Sequence, residues 1–236
     1  MKLNFPSLML AVALFSPFTS QAETSAAEAV KAQRIRELKK EILRIAEQAS
    51  GKVVYDNEDN DPRVRARLMP LVQELISLAP ARTQQQLLPD VVGVWKSVWS
   101  DLTYYSPSVP LANGMYQVVF PNGFYYNLSA YDGPQGTYMG VLRGTFVVAE
   151  PALQIQFVKA TRTPEVMPRG ADVATLAMRA ELGVYDVEVD PNNAPAIGFR
   201  TDFRQEYVDE ELRIGTGSVS SGFDTLFILR RADKVE

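Results

Sequence analysis

Two periodicities divide this chain. Between Glu28 and Ala49 the apolar residues Ile35, Leu38, Ile42, Leu43, Ile45 and Ala46 recur at three- and four-residue spacing, with Arg, Lys and Glu between them. That spacing predicts an amphipathic helix lying on the rest of the domain, ended by Ser50-Gly51. A second helix is predicted from Asp61-Pro62, with Asp as N-cap and Pro at the first helical position. Val64, Leu68, Leu71, Val72, Leu75, Ile76 and Leu78 form its stripe, Pro70 is expected to kink it, and Ala79-Pro80 stops it. From Val91 the period becomes two. The run Val91 to Trp99 predicts a strand with Trp95 and Trp99 on one face and Val94 and Val98 on the other.

Further strands are predicted over Met115 to Phe120 and Phe124 to Tyr131, which flank an Asn122-Gly123 hairpin signal. Others follow at Gly136 to Leu142, Thr145 to Ala149, Leu153 to Val158 and Val173 to Leu182. The chain closes on a meander: an apolar run into Tyr207-Val208, an acidic reversal at Asp209-Glu210-Glu211, the run Leu212-Arg213-Ile214, a Gly/Ser-rich turn and Phe223 to Arg230. No βαβ alternation is present, so a parallel sheet is not expected. Some eight to ten antiparallel strands with few edge-protecting charges point to closure, because closure alone removes exposed edges. The expected fold is therefore mainly β: an antiparallel barrel of about eight strands preceded by two α-helices.

Composition narrows the chemistry. The 236 residues contain no His and no Cys, which removes the usual general base, imidazole metal sites, thiolate nucleophiles and disulfides. No metal or cofactor is expected. The acidic loop Asp56 to Asp61 invites a calcium reading, but Asp61 and Arg67 stand where an EF-hand loop needs Gly and Glu. A net charge of −4 with both signs interspersed gives no footprint for nucleic acid. Met1-Lys2, the apolar run Leu8 to Phe15, Pro17 and Ser20-Gln21-Ala22 have the layout of a secretory leader cleaved at Ala22-Glu23. The expected organisation is a signal peptide over 1–22, a helical region over 23–90 and the barrel over 91–236, in an exported, periplasmic or secreted protein. No later stretch is long and apolar enough to span a bilayer.

Gly93-Val94-Trp95 resembles the Gly-x-Trp of the first lipocalin strand, where the Trp packs across the closed end of the calyx under an Arg from a late strand. Arg213 and Arg230 are the candidates for that Arg, with a cation–π contact worth ~0.5–2 kcal/mol. A fuller resemblance, spanning roughly Leu38 to Arg230, is to the plastid lipid-associated protein (fibrillin) family. It rests on the paired helices ending in Leu78-Ala79-Pro80, on the Gly93-x-Trp95 strand, and on Tyr207-Val208-Asp209-Glu210-Glu211-Leu212-Arg213-Ile214, which is similar to that family's Tyr-Leu-Asp-x-x-Leu-Arg-Ile. The leader and Gly215-Thr216-Gly217 depart from the pattern. The resemblance implies a lipocalin-like fold that binds lipids, quinones or isoprenoids without catalysis.

Candidate ligand contacts are Trp95, Trp99, Tyr116, Phe146, Phe157, Tyr207 and Arg213; Gly93, Asp209, Leu212 and Ile214 complete the structural signature. If Arg213 faces the lumen it needs a partner, and Asp209, Asp202, Glu206 and Trp95 are available in sequence. The expected partner is a small apolar molecule or lipid, with peripheral membrane association open and the oligomeric state unspecified. Two alternatives remain: a filled barrel that serves as an interaction module, and a hydrolase using the carboxylates of Asp209, Glu210 and Glu211.

Overall fold

The computed structural model describes residues 18–49, 62–101, 111–133, 136–163, 167–181, 198, 200–218 and 224–236. The acidic loop 56–61 and most of the expected leader lie outside the described residues. Eight strands form one closed barrel in which every neighbouring pair is antiparallel and sequential, β1 closing on β8. They are β1 (Gly93–Ser100), β2 (Leu111–Val119), β3 (Phe124–Gly133), β4 (Gly136–Ala149), β5 (Ala152–Thr163), β6 (Arg200–Val208), β7 (Leu212–Ser218) and β8 (Asp224–Arg231). This is an up-and-down closed barrel, in which each strand has a neighbour on both sides.

Helices cover the barrel from outside. α1 (Phe18–Ala49) and α2 (Pro62–Leu78) pair, and α2 continues through Pro70. Leu38, Ile42, Ile45 and Ala46 of α1 and Leu68, Val72 and Leu75 of α2 bury against Val98, Trp99, Leu212, Ile214, Leu226 and Ile228 on the outer wall. Each such Leu or Ile contributes about 1.5–3 kcal/mol by leaving water. The periodicity of both helices thus marks the face that docks.

The sequence-based expectation of a strand over Val173 to Leu182 is corrected by a helix, α4 (Val173–Glu181), numbered after α3 (Gln84–Val91) in chain order. Its apolar run breaks into a helical triad: Val173, Leu176 and Ala177 pack on Tyr116, Val118, Tyr126, Leu128, Met139 and Val141. Asp172 caps its start by accepting the Thr175 N–H at 2.6 Å. The expected strands at Gly136 to Leu142 and Thr145 to Ala149 are one strand, β4, with a register shift against β5 between Arg143 and Gly144. No helix among the described residues is long and apolar enough to cross a membrane.

The short helix α3 has no counterpart in the periodicity analysis. It opens with a capping box in which the Thr83 hydroxyl accepts the Gln86 N–H and the Gln86 side chain accepts the Thr83 N–H. Leu87 and Val91 then face the barrel interior and form its floor.

Candidate functional site

Register decides what faces inward. Trp95 pairs with Gln117, Gln117 with Asn127, and Asn127 with Leu142, so all four share a face. That face is the lumen, where Trp95, Val119, Tyr125, Phe146, Leu153, Ile155, Phe157, Phe203, Val208, Phe227 and Leu229 pack together above Leu87 and Val91. Tyr125 meets Phe157 edge-on at 6.2 Å, and Phe203 meets Phe227 at 5.1 Å. β7 supplies glycine where these rings lie: a Cβ on Gly215 would stand 2.2 Å from the Phe203 ring, and one on Gly217 3.0 Å from Phe227.

The floor is built around Trp95. Its Nε1–H donates to Val91 O at 2.8 Å, tying the indole to the end of α3. The Arg231 guanidinium lies 4.0 Å from the ring and donates to Val92 O at 2.8 Å and Asp90 O at 2.9 Å. Gly93 is what lets it pass, because φ is +135° there and a Cβ would sit 1.9 Å from Arg231 Nη1. Arg231, not Arg213 or Arg230, therefore lies closest over the indole. Arg230 points outward to Glu236 at 2.5 Å and Glu47 at 3.6 Å.

Arg213 occupies the lumen itself and is fully buried. Its guanidinium stacks 4.9 Å from the Phe203 ring centre and 5.9 Å from that of Trp95. Nε donates to Gln205 Oε1 at 2.7 Å and Nη1 to Gln117 Oε1 at 3.2 Å, while Nη2 has no partner among the described residues. None of the expected acids meets it: Asp209 is held at the β6–β7 turn, Asp202 pairs in register with Gln154 and Ser218 on the exposed wall, and Glu206 accepts from Arg204 and Thr216. The lumen-facing positions of known side-chain placement include no Asp or Glu. Burial pulls the Arg213 pKa down to about 10 against the opposing pull of Tyr125, with Arg231 adding repulsion. Burial pushes the Tyr125 hydroxyl up to about 12, and the neighbouring Arg213 only partly reverses this. At neutral pH the site thus holds a charged guanidinium beside a protonated phenol.

The signature turn has a different task. Asp209 Oδ1 accepts the N–H groups of Glu211 and Leu212, both at 2.9 Å, and Oδ2 accepts the Tyr207 hydroxyl at 2.7 Å. Lys39 of α1 reaches Asp209 and Glu211, each at 2.6 Å. Burial alone would raise the Asp209 pKa, but Lys39, Tyr207 and the two N–H groups outweigh it and hold the carboxyl below its ordinary value. Tyr207 is raised by burial and by the adjacent Asp209 carboxylate. The constellation locks the hairpin and fastens α1 to it.

Of the candidate ligand contacts, Trp95, Phe146, Phe157 and Arg213 face the lumen, whereas Trp99, Tyr116 and Tyr207 stand on the outer wall. Two β-bulges explain the displaced pair Trp99 and Tyr207. Register shifts lie between Ser97 and Trp99 in β1 and between Gln205 and Tyr207 in β6, and one extra residue reverses the alternation. Trp99 then faces α1 and α2 instead of joining Trp95. Tyr116 pairs with Lys96, one position out of phase with Trp95, and accepts the Glu236 N–H at 2.9 Å. Sequence reasoning missed Gln117, Tyr125, Phe203, Gln205 and Arg231; Gln117 was legible only as a polar residue interrupting an apolar run.

No family model matches the chain, and no curated protein matches it. Among solved structures, a lipocalin-like protein from Bacteroides uniformis is similar over 61% of this chain and 99% of that one, at 11% identity and a TM-score of 0.31. A recess of about 520 Å³ lies across β4, β5 and β6, bounded by Thr145, Val147, Gln154, Gln156, Arg200 and Asp202 among others. Its lining is mostly exposed and polar.

Proposed function

We propose that this chain is an exported, non-enzymatic binding protein that holds a small apolar molecule, such as a lipid, quinone or isoprenoid, inside its barrel. One observation carries the proposal: a closed barrel, floored by α3, whose interior combines aromatic rings with an incompletely satisfied polar cluster instead of an all-apolar core. Small-ligand sites combine apolar walls with a few convergent polar groups in this way. The Tyr207-to-Ile214 motif supports kinship with the fibrillin family, and the leader-like residues 1–22 support export. Of the acids at the β6–β7 reversal, Asp209 and Glu211 serve the turn and α1, which supports a role without catalysis.

Close seating of Phe203 over Gly215 and Phe227 over Gly217 favours a second reading, a barrel filled by its own rings that acts through its outer surface. Mass spectrometry of organic extracts from natively purified protein separates the two. The binding proposal expects a stoichiometric apolar compound above the buffer blank, and quenching of Trp fluorescence when fatty acid or quinone probes are added. Blank-matching extracts together with unquenched fluorescence would leave the filled barrel.

A further inference from the structure

Resting on lumen binding as proposed above, we infer that the ligand is a carboxylic acid with an apolar tail, and that Arg213 with Tyr125 receives its carboxylate. A guanidinium removed from water keeps its charge, and that charge is costly unless opposite charge or a full set of acceptors surrounds it. Arg213 has neither among the described residues. Gln205 and Gln117 occupy Nε and Nη1 with neutral oxygens, the neutral Tyr125 hydroxyl lies against the same guanidinium, Nη2 is unpartnered, and the other charge that acts on it, Arg231, has the same sign.

The donor count selects the anion. Nη2 and the protonated Tyr125 hydroxyl beside the same guanidinium offer two donor groups, which suit the two oxygens of a carboxylate. A phosphate monoester would bring more oxygens than these groups can satisfy. The Phe203 ring lies against the guanidinium at 4.9 Å. The Trp95 indole, 5.9 Å away, provides the reporter. Trp99, the other indole of the chain, is packed under α1 and α2 and is removed from the signal by Trp99→Phe.

In a Trp99→Phe background, dodecanoate, dodecanol and dodecyl phosphate are titrated against Trp95 emission. Dodecanoate should bind about tenfold or more tightly than dodecanol, since a charged hydrogen bond is worth that much. Tyr125→Phe should lower that ratio, and Arg213→Gln should bring it to about one while dodecanol binding persists. Should Arg213→Gln fail to fold, Arg213→Lys, which keeps the charge but not the fork, should retain only part of the preference. Equal binding of acid and alcohol overturns the acid assignment while lumen binding stands. Tighter binding of the phosphate overturns the choice of carboxylate, and no binding of any probe removes lumen binding and this inference together.

Discussion

Asp209 shows how one side chain can be worth several contacts. Its carboxylate gathers two backbone N–H groups, a phenol and an ammonium, so it joins β6, β7 and α1. Asp209→Asn should destabilise the fold by about 1–3 kcal/mol at neutral pH, measured by urea unfolding. The pH dependence has a definite sign. Because the folded carboxyl titrates below its ordinary value, its contribution is complete above about pH 4 and is lost as pH falls through the folded pKa. The gap between the two proteins should therefore narrow on acidification. A gap that stays constant down to about pH 2 would mean the charge of Asp209 is not what stabilises the turn. A second residue-scale expectation concerns Gly215 and Phe203. Gly215→Ala drives a methyl into the ring and should cost about 1–3 kcal/mol, and Phe203→Leu in the same chain should recover part of that loss. Additive effects in the double-mutant cycle would contradict this contact.

At the scale of elements, α1 and α2 were legible, whereas the phases of the bulged strands were not. The stripe Leu38, Ile42, Ile45 reads as a buried face from spacing alone, because a helix of any register keeps that face. A strand is less forgiving: one inserted residue exchanges its faces, and neither bulge carries a glycine or proline to announce it. Trp99 and Tyr207 stand on the outer wall for that reason. The helix α4 was hidden by an apolar run that satisfies either period over so short a length, and only its Asp172 cap argues for helix. The docking of α1 and α2 is energetically testable. Ile42→Ala or Leu75→Ala should lower stability by about 2–5 kcal/mol, since both side chains are fully buried between the helices and the barrel wall. Thermal unfolding of the variants would check this, and a loss below about 1 kcal/mol would mean that the helices are not integral to the fold.

For the whole molecule the decisive event is closure. β8 pairs with β7 on one side and with β1 on the other, across most of the chain. Truncation after Gly222 should abolish cooperative folding, because it opens both flanking strands and removes Phe227 and Leu229 from the lumen. Near-UV circular dichroism that retained the full-length signal would refute that. By itself, the order of residues determined the element types of the helical hairpin and of most strands, the antiparallel class, the likeness to a barrel, and the lack of imidazole and thiol chemistry. Those follow from local periodicity and composition. Only the tertiary structure decided which aromatics line the interior, that Arg231 rather than Arg230 covers Trp95, and that Arg213 sits inside without an acid among the described residues. Inward and outward are properties of pairing between strands distant in sequence, and a single bulge inverts them without changing the local pattern.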